Sequence, residues 1–246
     1  MKWLLLFSIM ILSVSYAETA ETLPSKLQFR EALTSPAAQY SQALLSEAYR
    51  RLNIDAHFID IPFGRSLLES NKGSLDGELA RVLDVTKHYP NLVAVPYVLF
   101  DTKVYLYINQ QRCAKCSLED VPSLAYVRGS LVLEEILKKL PPSRQVISSG
   151  SIESTKNLFL TGKVDAVIFA AYQLNAQSEF PISEQFIFSL PDYHLLHRDH
   201  SALLQPLANM LFQLEREGFT ENLRLHFGIA APSRQLQTGQ QPFAYY

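Results

Sequence analysis

The chain has 246 residues, of which 48% are hydrophobic and 19% are charged. This composition excludes disordered and collagen-like chains and is typical of a globular protein with one large core or two ordinary ones. The 22 basic and 24 acidic side chains give a net charge of -2, and the basic residues form no stripe. The sequence therefore argues against a nucleic-acid partner, because phosphate backbones are bound by clustered positive charge.

The N-terminus has the pattern of a secretory signal peptide. Lys2 precedes an apolar run at residues 3–14, and small residues stand at the two positions that a signal peptidase reads before a cut after Ala17. The run is about a dozen residues long, whereas roughly 20 are needed to cross a bilayer. We expect cleavage after Ala17 and export to a bacterial periplasm or another oxidising exterior. An uncleaved N-terminal anchor is the alternative.

Strands and helices alternate along the next part of the chain, which is typical of a parallel sheet. The hydrophobic patterns predict strands at residues 25–30, 54–61 and 75–81, and helices at residues 36–52 and 63–71. The alternation breaks at residues 91–109, where strand-like pieces at 92–95 and 103–108 follow each other without a helix.

A second alternating pattern predicts strands at 124–127, 145–148 and 164–169 and helices at 131–140 and 152–160, with Gly162 as a C-cap. Extended pieces at 186–190 and 193–196 then precede a final helix at 201–217 that stops at Gly218. The tail at 231–246 is rich in Gln, Pro and Ser, and we expect it to be loose or draped on the surface. The prediction is an α/β fold.

Several short motifs follow one another in a characteristic order. They are FGRSLL at 63–68, LDGELAR at 75–81, YPNL at 89–92, VP at 95–96, LAYVRGS at 124–130 and NLFLTGKVDAV at 157–167. In this order they resemble the motifs of family 3 of the bacterial extracellular solute-binding proteins, over about residues 24–228.

The resemblance implies a two-lobed periplasmic-binding-protein-like fold of type II that captures a small-molecule ligand between its lobes. Lobe 1 would comprise residues 18–98 and 190–246, and lobe 2 residues 103–186. Two crossing strands near 97–103 and 186–191 would form the hinge, since a chain that leaves a lobe and returns must cross twice. The implied partner is an ABC-type permease or a separate membrane sensor. We expect a monomer and no cofactor.

Ligands of α/β sheets bind beyond the carboxyl ends of the strands, which selects three residues in lobe 1. Arg81 closes a strand that should be buried, so its guanidinium is held either by a ligand's carboxylate or by Glu78 on the same strand. Arg65 lies in the first turn of a helix, where it needs an anion nearby or is a solvated arginine. Phe63 either presents an aromatic wall to the ligand, as the family does, or packs as a hydrophobic staple.

The turn Arg128-Gly129-Ser130 is the candidate site of lobe 2. It leads from a strand into a helix, so free backbone N–H groups and the Ser130 hydroxyl would suit an oxyanion. Together with the arginines of lobe 1, this turn favours a small, anionic organic ligand.

Two departures from the amino-acid binders of the family argue against an α-amino acid. Those binders have a Ser/Thr-rich segment that ends in Arg after the lobe 1 strand, whereas residues 82–89 contain no arginine. They also have an Asp for the ligand's ammonium five residues beyond the position of Asp165, and here that residue is Ala170. Asp165 itself is expected to cap local backbone.

Cys113 and Cys116 are predicted to form a local disulfide, with a redox pair or half of a zinc site as alternatives. No second CxxC completes a metal site, because the chain has only 2 Cys. His194, His197 and His200, with Asp192 and Asp199, are residues of metal-ligating type. In an extended segment His194 and His197 would point to opposite faces, so we expect no metal.

An enzyme is the alternative function, because periplasmic cyclohexadienyl dehydratases are similar to this family. Such an enzyme would need a carboxylate general acid in the cleft, and Glu78 is the residue to which we would assign that role. Motifs of hydrolases, P-loop proteins and metalloproteases do not occur in the sequence. Binding without catalysis is the favoured function.

We expect the exported protein to begin at Glu18 and to be a soluble monomer. Intact mass spectrometry of protein recovered from the periplasm checks this start directly. A mass that retains residues 3–14 would contradict the prediction and would place the protein at the membrane surface.

Overall fold

The computed structural model describes residues 23–31, 35–128, 131–140, 144–171, 174 and 177–236. The predicted signal peptide at 1–17 and the last ten residues of the predicted tail lie outside the described residues. The strands are β1 (Lys26–Arg30), β2 (Asp55–Ile59), β3 (Gly77–Val82), β4 (Leu92–Asn109), β5 (Ser123–Val127), β6 (Gln145–Ser149), β7 (Ala166–Ala170) and β8 (Ile182–His197). The α-helices are α1 (Pro36–Arg51), α2 (Phe63–Lys72), α3 (Leu131–Lys138), α4 (Ile152–Leu160), α5 (Leu204–Arg216) and α6 (Phe219–Phe227), and short 3-10 helices span Leu83–Lys87 and Arg198–Leu203.

The strands form two sheets. β1 and β2 pair in parallel, and the larger sheet has the strand order β3-β8-β4-β7-β5-β6. The prediction that all three early strands belong to one parallel sheet is wrong for β3, which pairs antiparallel with β8. Gly77 makes this pairing close, since a Cβ atom there would lie 2.0 Å from the Leu195 carbonyl oxygen.

β4 and β8 are long antiparallel strands that pair with each other over most of their lengths. The sequence predicted each of them as two separate pieces, and the structure joins the pieces into strands of 18 and 16 residues. One hydrophobic core is built from residues between 27 and 100 and between 193 and 236. Two further hydrophobic clusters are built from residues between 104 and 188. β4 and β8 therefore carry the chain from one core region to the other and back.

The C-terminal part contains one helix more than predicted. The final helix expected at 201–217 is a 3-10 helix followed by α5, and α6 then begins directly after Gly218. Gly218 has φ 76°, a left-handed conformation that glycine adopts without strain, and this ends α5 and starts α6. Phe219, Leu223 and Phe227 of α6 pack against the first core.

The described start of the tail is draped over β4. The Gln235 side chain accepts a hydrogen bond from the Val98 N–H and donates one to the Val98 carbonyl, each at 2.9 Å. The Ser233 N–H donates to Asp101 Oδ2 at 2.7 Å, and Leu236 is buried in the first core. β4 has register shifts on both sides of Val98, so Gln235 satisfies backbone groups where the ladder is irregular.

The predicted disulfide between Cys113 and Cys116 is confirmed. It closes a short loop after β4, and the Gln185 side chain of β8 donates to the Cys116 carbonyl at 2.7 Å. In the described part of the chain, no helix combines the length and the apolar character that a membrane crossing requires.

Replacing Gln235 by Ala should lower the free energy of unfolding by about 1–3 kcal/mol, because the Val98 backbone groups would lose both partners. Urea denaturation of the Gln235→Ala variant measures this. Gln205→Ala is the matched control, since that side chain makes a surface hydrogen bond within one helix. Equal losses in the two variants would show that the tail does not stabilise β4.

The Cys113→Ser, Cys116→Ser double variant should lose only about 2 kcal/mol, since the disulfide closes a very short loop. Calorimetry of the oxidised wild type and the variant gives the difference. A decrease of tens of degrees in the melting temperature would contradict this expectation.

Candidate functional site

Glu78 and Arg81 form a buried ion pair on β3. The Nε and Nη2 atoms of Arg81 donate to Glu78 Oε2 at 2.8 and 2.7 Å, and Nη2 also donates to Ser66 Oγ at 3.1 Å. Ser70 of α2 donates to Glu78 Oε1 at 2.9 Å. The side chains of Arg81 and Glu78 are only 7% and 4% exposed. The register of β3 against β8 shifts between these two residues, and this bulge lets residues three apart meet.

The structure thus contains the internal pair that the sequence offered as one of two alternatives for Arg81. Glu78 neutralises the charge of Arg81, and the Arg81 guanidinium packs under α2. A ligand contact by Arg81 or Glu78 stays a prediction.

Arg30 is a basic residue at the same edge that sequence reasoning did not select. It ends β1, and its Nε donates to the Ile61 carbonyl at 2.8 Å, just after the end of β2. Burial and the positive charge of Arg81 lower the pKa of Arg30, while Glu78 and Asp60 act in the opposite direction. The sequence contained the information needed to select Arg30, because this residue directly follows Phe29 at the carboxyl end of a predicted strand.

α2 places the remaining lobe 1 candidates. Arg65 lies in its first turn with a side chain that is 67% exposed, and its Nε is 3.4 Å from Glu69 Oε1 on the next turn. Glu69 is therefore the anion that offsets the unfavourable position of Arg65 at the helix start. Phe63 is the first residue of α2, and its side chain lies outside the described residues.

The lobe 2 candidates lie at the carboxyl ends of β5 and β6, which pair in parallel. Arg128 follows β5, its side chain is exposed and its N–H donates to the Ser149 carbonyl at 2.8 Å. Gly129 and Ser130 lie outside the described residues. Beside Arg128, Ser151 caps α4 by accepting from the Ser154 N–H at 3.1 Å. This second strand-to-helix turn, Ser149-Gly150-Ser151, was not selected from the sequence, although its composition resembles that of the first.

The two edges approach each other in space. The 3-10 helix Leu83–Lys87 directly follows β3, and α3 follows β5 and its turn. Cα atoms of these two helices come within 8 Å of each other. The segments that follow the ends of β3 and β5 are therefore in contact, so the two strands direct their carboxyl ends toward a shared region.

Asp165 lies at the start of β7, the opposite end from Ala170. It accepts hydrogen bonds from Arg112 Nε and from Ser123 Oγ, and the Ser123 hydroxyl also accepts from the Asp165 N–H. Burial opposes ionisation of Asp165, but the hydrogen bonds from Ser123 and Arg112 outweigh it and lower its pKa. Asp165 is thus a structural residue that joins β5, β7 and the loop after β4.

The histidines of β8 and the following 3-10 helix have separate partners. His194 Nδ1 is 2.8 Å from the Glu78 carbonyl, and its Nε2 is 2.6 Å from the Tyr49 hydroxyl. A carbonyl only accepts, so Nδ1 carries the proton and Nε2 accepts from Tyr49. Burial lowers the pKa of His194 to about 4. His197 packs beside Gly73, and His200 Nε2 is 2.6 Å from Asp76 Oδ1.

Comparisons with known proteins establish the fold. No family model matches the chain. An uncharacterised protein of Shewanella oneidensis is 21% identical over 197 residues, which is 76% of this chain and 75% of that protein. Among solved structures, an ancestral arginine-binding protein bound to arginine is 16% identical and superposes with a TM-score of 0.68 over 84% of this chain and 99% of that chain.

Two further structures have the same fold. A histidine kinase sensor domain with similarity to periplasmic binding proteins is 12% identical, with a TM-score of 0.70 over 85% of this chain and 98% of that chain. An ancestral amino-acid-binding protein, described as a precursor of cyclohexadienyl dehydratase, is 14% identical, with a TM-score of 0.66 over 82% and 95%. The chain has the two-lobed α/β fold of type II periplasmic binding proteins, as the sequence predicted.

Replacing Glu78 by Gln should lower the free energy of unfolding by about 3–5 kcal/mol, because it leaves the buried Arg81 guanidinium without its counter-charge. Urea denaturation at pH 7 measures the loss. The double variant Glu78→Leu, Arg81→Met removes both charges and should recover most of the stability.

Glu69→Gln is the control, since it breaks only the exposed pair with Arg65 and should have little effect. A Glu78→Gln protein as stable as wild type would show that the pair does not stabilise the fold, and would favour a ligand role for Arg81.

Proposed function

We propose that the protein is an exported solute-binding protein that captures a small organic anion between its two lobes. The observation that carries this proposal is the approach of α3 to the 3-10 helix after β3, because these two helices follow the carboxyl ends of β5 and β3. In α/β folds such strand ends are where ligands bind. The fold is also that of ancestral arginine-binding proteins with arginine or glutamine bound, and both of these ligands carry a carboxylate.

The proposed lobes are residues 18–98 with 190–246, and residues 103–186. The positions of the cores support this division, because the first core lies within the first set except for Leu99 and Phe100, and the other clusters lie largely within the second. β4 and β8 would bend between Phe100 and Val104 and between Phe188 and Tyr193, where core residues of one region give way to those of the other.

Three arginines support an anionic ligand. Arg30 and Arg65 lie at the lobe 1 edge, and Arg128 lies at the lobe 2 edge. The turns into α2 and α4 add helix N-termini, which favour negative charge. Arg81 is excluded because its ion pair with Glu78 is buried, whereas the ion pair of Arg65 with Glu69 leaves the Arg65 side chain 67% exposed. Closure of the lobes would bring the positive groups of both edges onto one ligand.

An α-amino acid is not the favoured ligand. β7 ends in Ala170, so the residue that would hold an ammonium at the strand end has no polar side chain. The residues after β3 form the 3-10 helix Leu83–Lys87 and contain no arginine up to Tyr89. A ligand that has a carboxylate but no α-ammonium group, such as a simple organic acid, fits the residues after β3 and at the end of β7 better.

The dehydratase alternative has support from one similar structure, that of an ancestral amino-acid-binding protein that is a precursor of cyclohexadienyl dehydratase. In this chain the proposed acid, Glu78, is 3% exposed and both of its oxygens accept hydrogen bonds, from Arg81 and Ser70. A general acid must reach the proton acceptor on the substrate. The geometry around Glu78 therefore favours binding without turnover.

We propose that the protein works as a periplasmic monomer and presents its ligand to a separate membrane chain, either an ABC-type permease or a sensor. Proteins of both settings occur among the similar structures, since one is an amino acid ABC transporter substrate-binding protein and another is a histidine kinase sensor domain.

A thermal-shift screen of the protein beginning at Glu18 tests the ligand class, with panels of organic acids, amino acids, sugars and polyamines. Organic acids should raise the melting temperature, because a ligand that binds only the folded state stabilises it. Stabilisation by polyamines or neutral sugars alone would contradict the proposal.

Calorimetric titration of a hit then tests the site. Arg65→Ala and Arg128→Ala should each weaken binding about tenfold or more, since a hydrogen bond to a charged group contributes about 1.5–3 kcal/mol. Arg216→Ala, at an exposed position on α5, is the control and should bind normally. Conversion of the hit into a product, lost in Glu78→Gln, would favour the dehydratase.

A further inference from the structure

Asp192 occupies the place where β8 leaves the first core. It is paired with Val82 of β3 on one side and with Phe100 of β4 on the other. The next core residue of β8 is Tyr193, and the preceding three residues, Ser189, Leu190 and Pro191, lie between the cores. Asp192 is 6% exposed, so it is a buried carboxyl group in the crossing segment.

The carboxyl group of Asp192 is only half satisfied. It accepts hydrogen bonds from the side chain and the backbone of Thr102 on β4, while its Oδ2 atom has no partner in the described structure. Ser189 Oγ, three residues earlier, is also buried without a partner there. Buried polar atoms without partners are costly, and the cost falls when a movement admits water. The crossing segment of β8 thus has polar atoms that this conformation leaves unsatisfied.

The charged groups around Asp192 come from both neighbouring strands. The charges of Arg81 on β3 and of Asp101 on β4 both act on Asp192. Burial raises the pKa of Asp192 to about 7, Asp101 adds to this shift, and Arg81 and the Thr102 hydrogen bonds oppose it. Because Arg81 already forms an ion pair with Glu78, its charge stabilises an ionised Asp192 less than a guanidinium without a counter-charge would.

We propose that Asp192 is a proton-controlled latch of the hinge: its neutral form stabilises the conformation in which α3 contacts the 3-10 helix after β3, and its ionised form favours a conformation in which Oδ2 meets water. This goes beyond ligand capture, because it makes the arrangement of the lobes depend on pH with no ligand present. The physical basis is that a neutral carboxyl tolerates the buried, half-satisfied position between β3 and β4, whereas a carboxylate does not.

The direction of the effect follows from the two environments. A hydrated Asp192 would titrate near its ordinary value of 3.8, and the buried one titrates near 7. The buried conformation therefore binds the proton more tightly, and its population relative to the hydrated one rises as the pH falls from about 7 toward 4, by at most about tenfold per pH unit. Above about 7 both conformations are ionised and the ratio becomes constant. Acidification should close the lobes.

The test compares unliganded wild type with Asp192→Asn and Asp101→Asn by small-angle scattering and by hydrogen exchange of β4 and β8, at pH 5.5 and pH 7.5. Wild type should be more compact and better protected in the crossing segments at pH 5.5. Asp192→Asn should be compact at both values, because its amide is neutral throughout. Asp101→Asn should keep the pH dependence.

An imidazole with its ordinary pKa changes charge between pH 5 and pH 8, and the difference between wild type and Asp192→Asn removes any such contribution from the histidines. A pH response that is unchanged in Asp192→Asn, or none in wild type, would overturn the proposal.

A direct measurement covers the case in which Asp192→Asn folds poorly. Carboxyl-carbon NMR of folded wild type should show an aspartate titrating near 7, identified by its loss in Asp192→Asn or, failing that, in Asp192→Ser. An Asp192 that titrates near 4 in the folded protein would equally overturn the latch. Neither experiment uses a ligand, so an outcome against the latch leaves the proposed ligand capture to be judged by its own screen.

Discussion

The antiparallel pairing of β4 with β8 is the constraint on which the rest of the structure depends. These two strands contribute to the core regions on both sides of the crossing, and every other described element packs on one side or the other. A paired ladder must satisfy its backbone groups along its whole length, so bending is confined to places where the pairing is irregular. The register shifts of β4 fall between Ala94 and Phe100 and again between Val104 and Tyr105, on either side of the crossing. The Gln235 side chain supplies the hydrogen bonds that one of these irregular places lacks.

Most local elements could be predicted because their signals are local. The helices at 36–51 and 152–160 and the strands at 26–30 and 145–149 agree with the expected bounds to within a residue or two, since apolar periodicity and capping residues define them. The continuity of β4 could not be predicted, because the polar run Asp101-Thr102-Lys103 interrupts its apolar pattern and its pairing with β8 is non-local. The helix α6 could have been predicted from the spacing of Phe219, Leu223 and Phe227, and was missed because Gly218 looked like an end.

The candidate site also has features that the sequence predicts and features that depend on the tertiary structure. The position of a side chain near the end of a strand is a local property, so the sequence alone could place Arg81 near the end of β3 and Arg128 directly after β5. The partner of each side chain is a tertiary property. Sequence alone left Arg81 between a ligand and Glu78, because the bulge that brings these two residues together depends on the pairing of β3 with β8. The same rule selects Arg30, whose contact with the end of β2 only the folded chain reveals.

Two buried carboxyl groups on the neighbouring strands β3 and β8, Glu78 and Asp192, show how stability and movement are separated. Glu78 lies within the first core region and has a full set of partners from α2 and β3, so its position resists change. Asp192 lies where the chain leaves that core, and its Oδ2 atom has no hydrogen-bond partner among the residues that the structure describes. A fully satisfied buried charge would hold the crossing strands in one arrangement, since any rotation would break its hydrogen bonds. A buried carboxyl group with one unpaired oxygen destabilises the buried conformation, and it gives up few hydrogen bonds when the segment opens to water. The buried and hydrated conformations of such a hinge can therefore be close in free energy.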